Sequence, residues 1–272
     1  MFAHAFVRNA YLAGTFIALA CGGVGWFVVL RGQLFAGDAL GHVAFVGAIA
    51  AAVLGLDERI GLFALTIAAG LGMASLGRRG TADDTVIGMS FAWILGIGIL
   101  LLAVLATSSG GGTGVEAANA LFGSIYSLSA GDSRVAAVVA LLACIVLAIG
   151  IRPLLLSSLD AELAGARGIP VRALGAGFLV LLGAVGAEST QTVGALLVLG
   201  LLAAPAGAAH QLTASPYRGL ALSALLALAA TWGGLALSYA VSSLPPSSAI
   251  IGLAASGYLV STLLARMRPA RS

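Results

Sequence analysis

Nine apolar runs dominate the chain, near 10–30, 38–56, 60–77, 85–107, 135–156, 171–187, 193–213, 219–241 and 248–265. A helix of roughly 20 apolar residues crosses a bilayer, and most of these runs come close to that length. The sixth is short and is parted from the seventh only by "ESTQT" (188–192), which leaves eight spans as the alternative count. The pattern predicts an all-α polytopic membrane protein, a single transmembrane domain over 1–272 with no soluble domain. Between the fourth and fifth runs lies a Gly-rich loop, 108–132, in which a short interfacial helix is expected at 115–128.

Composition agrees with that solvent. Sixty per cent of residues are apolar and 8% are charged, and the mean hydropathy is +1.10, whereas a soluble domain carries about 25% charge. The N-terminal "MFAHAFVRNA" lacks a basic start before an apolar run, so insertion is expected to rely on the first span. With nine spans and the C-terminus inside, Arg31, Arg78, Arg79, Arg152, Arg167, Arg172, Arg218, Arg266, Arg268 and Arg271 fall in the cytoplasm. Only Arg8, Arg59 and Arg134 fall outside. Cytoplasmic loops are enriched in basic residues, so the expected orientation is N-terminus out and C-terminus in.

Charge also excludes chemistry. All 13 basic residues are Arg, so the chain has no P-loop Lys to reach nucleotide phosphates and no Lys for Schiff-base work. No H-E-x-x-H or G-x-S-x-G motif occurs, and "AASG" (254–257) lacks the first Gly of a nucleophile elbow. Cys21 and Cys144 sit in apolar runs as packing groups. The expectation from these residues is that the chain is not an enzyme and has no nucleic-acid partner.

The polar residues within or beside spans carry the candidate chemistry. Asp38 and His42, in "GDALGH", are i and i+4 and share one helix face. A carboxylate and an imidazole pointing the same way suit zinc, manganese or iron. The competing reading has Asp38 capping the span and His42 bonding within the bundle. Two ligands are fewer than a closed structural site uses, which suits a transient site completed by water or a second copy. Glu188 reads either as a pathway-lining acid or as an interfacial residue at a helix end, the second being the stronger reading from position. Pro205, in "LLAAPAGAA", breaks a span and frees a carbonyl, a pointer to a pathway. Asp83 and Asp84 suit the start of a long apolar helix; His4 and His210 read as interfacial, and Asp57 and Glu58 as a solvated turn with Arg59. In "LDAELAGARGIPV", a short helix from Asp160 to Arg167 is followed by Gly168 as a stop and Pro170 opening the next span. Such a helix either docks a soluble partner or is a plain connection.

Four stretches in order, "GDALGHVAFVGAI", "ALFGSIYSLSAGD", "LDAELAGARGIPVRAL" and "TVGALLVLGLLAAPAGAA", resemble the ABC-type permeases of zinc, manganese and iron uptake, over about residues 10–265. The resemblance implies a type II ABC importer-like permease that homodimerises in the bacterial cytoplasmic membrane. Its implied partners are cytoplasmic ATPases and an extracytoplasmic metal-binding protein. It implies no permanently bound cofactor, the metal being cargo. It casts Asp38 and His42 as the residues that meet the metal. It also casts Asp160, Ala161, Glu162, Ala164, Arg167, Gly168 and Pro170 as the helix that couples to the ATPase, with room for a partner expected at Ala161 and Ala164. Val46 stands where the family often has Pro, and His210 where it commonly has a basic residue. A siderophore or cobalamin permease, a proton-coupled carrier using Asp38, His42 and Glu188, and a non-transporting assembly protein are the alternatives.

Overall fold

The computed structural model describes residues 4–77, 84–108, 125–195, 198–241 and 243–267. Among these residues, ten α-helices follow one another: α1 Ala5–Leu30, α2 Leu34–Val53, α3 Glu58–Leu76, α4 Asp84–Ser108, α5 Ala130–Leu159, α6 Ala161–Ala166, α7 Val171–Val193, α8 Val198–Leu212, α9 Pro216–Ala240 and α10 Pro246–Met267. A short 3-10 turn, Ile125–Ser127, precedes α5. Arg78, Arg79, Asp83, Arg268, Arg271 and most of the expected 115–128 helix lie outside the described residues.

Among the described residues, eight helices are long and apolar enough to cross a membrane. The ninth apolar helix, α8, has only 15 residues, or about 22 Å at 1.5 Å per residue. It still runs as a separate rod: Gly200 meets Ile251 and Gly207 meets Tyr258, so α8 lies parallel to α10. The described residues therefore hold eight helices of spanning length and one short apolar helix.

Helix α1 sits at the centre, packed against α5, α7, α8 and α9. Lipid gives no hydrophobic drive for helices to associate, so close van der Waals contact and hydrogen bonds must supply it. The chain meets that need with small residues. Gly47 of α2 faces Gly61 of α3 so closely that a Cβ at Gly47 would stand 2.5 Å from the Gly61 carbonyl oxygen. Ser223 on α9 donates to the Gly22 carbonyl of α1 at 2.6 Å. The faces turned away from the bundle carry large apolar side chains, such as Trp93 and Ile149, each more than three-quarters exposed.

Helix starts depart from the apolar runs in an instructive way. Gly32 (φ +65) makes the turn after α1, and Gln33 becomes the N-cap of α2, which begins at Leu34 rather than 38. Asp38 is thus the fifth residue of the helix, beyond the first turn, and it caps nothing. The "ESTQT" segment is not a loop. It completes α7, and the chain breaks afterwards at Gly194, whose φ of +99 lies in a region that favours glycine. Pro205, expected to break a span, lies buried inside a continuous α8.

Candidate metal centre

Asp38 and His42 come together on α2 as their spacing demands. His42 Nε2 lies 3.9 Å from Asp38 Oδ1, with the side chains 17% and 30% exposed respectively. The Phe91 ring of α4 covers one side of the imidazole at 5.4 Å between centroids. Two donors each about 2.1 Å from a shared ion stand about 3.0–3.4 Å apart. The pair therefore needs to close by only about 0.5–0.9 Å, which small side-chain rotations supply. No group of three or more His, Cys, Asp or Glu side chains gathers among the described residues, so an ion held by Asp38 and His42 alone would keep coordination positions open.

The break between α7 and α8 borders this pair. An added Cβ at Gly41, the residue before His42, would find the Ala195 carbonyl oxygen at 3.6 Å. Thr190 donates to the Gly41 carbonyl at 3.3 Å and to the Gly186 carbonyl at 2.8 Å. The turn that follows α7 therefore abuts the helix that carries Asp38 and His42. Thr190 and Gly194 were not singled out by spacing. The signal available in the sequence was a Gly two residues after the polar stretch "STQT" (189–192).

Glu188 is buried inside α7, with its side chain 2% exposed, which corrects the reading of an interfacial helix end. The adjacent hydroxyls are satisfied locally: Ser189 bonds back to Val185 and contacts Cys21 Sγ at 3.0 Å. Arg59, expected in a solvated turn, instead reaches Glu188, Asp132 and Gln191. Its neighbour Asp57 is the N-cap of α3, accepting from the Arg59 backbone N–H at 2.8 Å. His210 stacks on Trp26 at 5.0 Å and shares a 3.1 Å hydrogen bond with the Trp26 carbonyl, half-buried near the end of α8. Val46 lies within an unbroken α2 and packs against Gly98.

At the opposite end of the bundle the 157–170 segment folds into a discrete element. Asp160 Oδ1 accepts from the N–H groups of Glu162 and Leu163 at 3.0 and 2.8 Å and so caps α6. Gly168 adopts φ +77, and the Ile169 N–H returns to the Ala164 carbonyl, so this helix stops by a glycine turn. Pro170 is the N-cap of α7. An open groove of about 600 Å³ runs along α6 and the start of α7, lined by Ala161, Glu162, Gly165, Pro170 and Arg172 among others. Ala164 does not offer room to a partner: it is fully buried within this chain. The exposed positions on α6 are Glu162, Leu163, Gly165 and Ala166, followed by Arg167, Gly168 and Pro170 in the turn beyond.

Comparison with known proteins matches this architecture. The model of the ABC 3 transport family matches residues 3–265. The chain is 31% identical to the "Manganese transport system membrane protein MntC" of Halalkalibacterium halodurans, over 86% of this chain and 76% of that protein. It is 30% identical to the "Manganese import system permease protein ScaB" of Streptococcus gordonii, over 96% and 91%. Among solved structures, PsaBC from Streptococcus pneumoniae in complex with Fab aligns with a TM-score of 0.82 at 28% identity, covering 95% of this chain and 91% of that one. With the family model spanning nearly the whole helical bundle and relatives matching over most of their own length, the chain belongs to the ABC 3 transport family.

Proposed function

We propose that this chain is the membrane-spanning permease subunit of an ATP-driven importer for a divalent transition metal, with manganese as the principal cargo. The observation that carries the reading is the Asp38–His42 pair, two donors 3.9 Å apart on a membrane helix. A carboxylate in a membrane interior is costly, and such residues mark ion pathways. Manganese is favoured over zinc and iron because MntC and ScaB are named for manganese; a 27% identical relative from Haemophilus influenzae is named for iron. Asp plus His alone accepts all three.

Two donors call for more, and a second copy of the chain, packed face to face as a homodimer, supplies them. Hydrolysis falls to a separate cytoplasmic ATPase docking at α6 and its groove, since this chain lacks a P-loop Lys. An extracytoplasmic binding protein delivers the ion to the face where α3 and α5 begin. The Arg distribution orients that face outward, with the N-terminus out and the C-terminus in at the bacterial cytoplasmic membrane. A siderophore or cobalamin cargo is disfavoured, because a large chelate has no use for an Asp–His pair.

The test is reconstitution with the ATPase and the binding protein in proteoliposomes. ATP-dependent uptake of radiolabelled manganese is expected, with weaker competition by zinc and iron. Uptake of a ferric siderophore with none of free manganese would reject the reading.

A further inference from the structure

At the face assigned outward, Arg59 stands in the first turn of α3 with its side chain only 22% exposed. Its guanidinium donates to Gln191 Oε1 through Nε at 3.2 Å and Nη2 at 3.0 Å. Nη1 lies 3.6 Å from Asp132 Oδ1, and Nη2 lies 3.7 Å from Glu188 Oε1. One side chain thereby joins the start of α3, the start of α5 and the end of α7. Helices α3 and α5 do not pack along each other, so Arg59 bridges the gap between them, with Glu188 beneath it on α7.

Three features set this cluster apart from ordinary packing. The ion pairs, at 3.6 and 3.7 Å, are longer than the 2.7–2.9 Å of tight charge-assisted bonds. Asp132 is half exposed, so it can rehydrate when the pair separates. Glu188 cannot: it is buried, and among the described residues neither of its carboxylate oxygens accepts a hydrogen bond. Well-packed apolar residues hold helices together at least as well as a buried ion pair does, so stability alone gives no reason for the cluster. The close Gly47–Gly61 contact also packs α3 directly on α2, the helix that carries Asp38 and His42.

We propose that Arg59 is an outer latch, a positioning residue that closes the outward route to the Asp38–His42 pair by tying α3 to α5 and α7. Its guanidinium leaves Asp132 and Glu188 when the route opens. The latch rests on the outward orientation and transport role proposed above, but it is read without any metal.

The test uses thiol accessibility in the full-length chain with Cys21→Ala and Cys144→Ser. Val185→Cys is the reporter. Val185 is 3% exposed and lies one turn below Glu188 on the same side of α7. Ala227→Cys, fully buried on α9, is the control. A membrane-impermeant maleimide is added to right-side-out vesicles. Arg59→Gln is expected to speed labelling at 185 by about tenfold or more, since losing charge-assisted hydrogen bonds shifts an opening equilibrium by at least that factor. Asp132→Asn, a change at a half-exposed site that leaves the core intact, should move it in the same direction. Combined, the two should give much less than the product of the single effects, because they break one shared contact. Unchanged labelling at 185, or an equal rise at 227 from general loosening, would overturn the latch. Acceleration only in inside-out vesicles would also overturn it, by placing the cluster on the wrong face. Manganese uptake by the unmutated protein is scored separately, so a wrong cargo and a wrong latch give different results.

Discussion

Asp38→Asn is the sharpest perturbation available, because the structure separates what the residue does for the fold from what it does for an ion. A helix-capping Asp would stabilise α2 by about 1 kcal/mol, and Asn would replace it with little loss. Helix α2 begins four residues earlier, at Leu34, and Gln33 holds the cap position, so capping contributes nothing at Asp38. Its side chain is 30% exposed and the substitution keeps its shape; the effect on folding should stay within about 0.5 kcal/mol. Ion binding should respond very differently. Altering groups that merely support a metal ligand lowers affinity 10–100-fold, and removing an anionic donor should cost at least as much, about 1.4–2.7 kcal/mol. The assay is the initial rate of radiolabelled manganese uptake into proteoliposomes holding the whole transporter, across a range of metal concentrations, beside the thermal midpoint in detergent. The expected result is a rate at low manganese reduced at least tenfold with an unmoved midpoint. His42→Ala should abolish uptake as well, but it also opens space beside Phe91, so its midpoint should fall and its result weighs less. Wild-type uptake by Asp38→Asn at every concentration would refute the reasoning and leave the pair a pore lining or a packing contact.

The remaining expectations concern coupling, packing and orientation. Gly165→Trp places an indole where a side chain meets nothing within 4 Å, so it should block ATPase docking while membrane insertion stays normal; undiminished metal-stimulated hydrolysis would reduce α6 to a connector. Gly47→Leu forces a side chain against the Gly61 backbone and should destabilise the α2–α3 pair by about 1–3 kcal/mol or more, read as a lowered thermal midpoint; an unchanged midpoint would show that the two helices separate freely. For orientation, a Cys at exposed Asp57 should react with an impermeant thiol reagent from outside, and one at exposed Arg167 only from the cytoplasmic side; reversed accessibility would invert the topology and move both proposed docking faces.

The helices were legible because lipid makes a crude but strict demand: a spanning segment satisfies its own backbone and shows apolar side chains to its surroundings. What lay hidden was every case in which a polar residue is satisfied by the bundle rather than by water. "ESTQT" reads as a loop by composition, yet Ser189 and Thr190 bond back one turn to Val185 and Gly186, and Thr192 to Ser189. The hydroxyls therefore cost the helix little, and Glu188 is carried inward with them. Arg59 looked solvated because its neighbours Asp57 and Glu58 are; its partners lie 73 to 132 residues further on, beyond any local pattern. Pro205 and Gly194 exchange roles for a related reason. A proline inside a helix loses one backbone bond and is tolerated when neighbours close around it, as they do at buried Pro205, whereas a left-handed residue cannot continue a helix at all. The break therefore falls at Gly194, with Ala195 beside Gly41 and so next to His42. The juxtaposition of Asp38 and His42 was legible from spacing because an i, i+4 pair needs nothing but its own helix. The Arg59 contacts join three helices and the turn after α7 lies against a third element, and only the packed bundle brings those together.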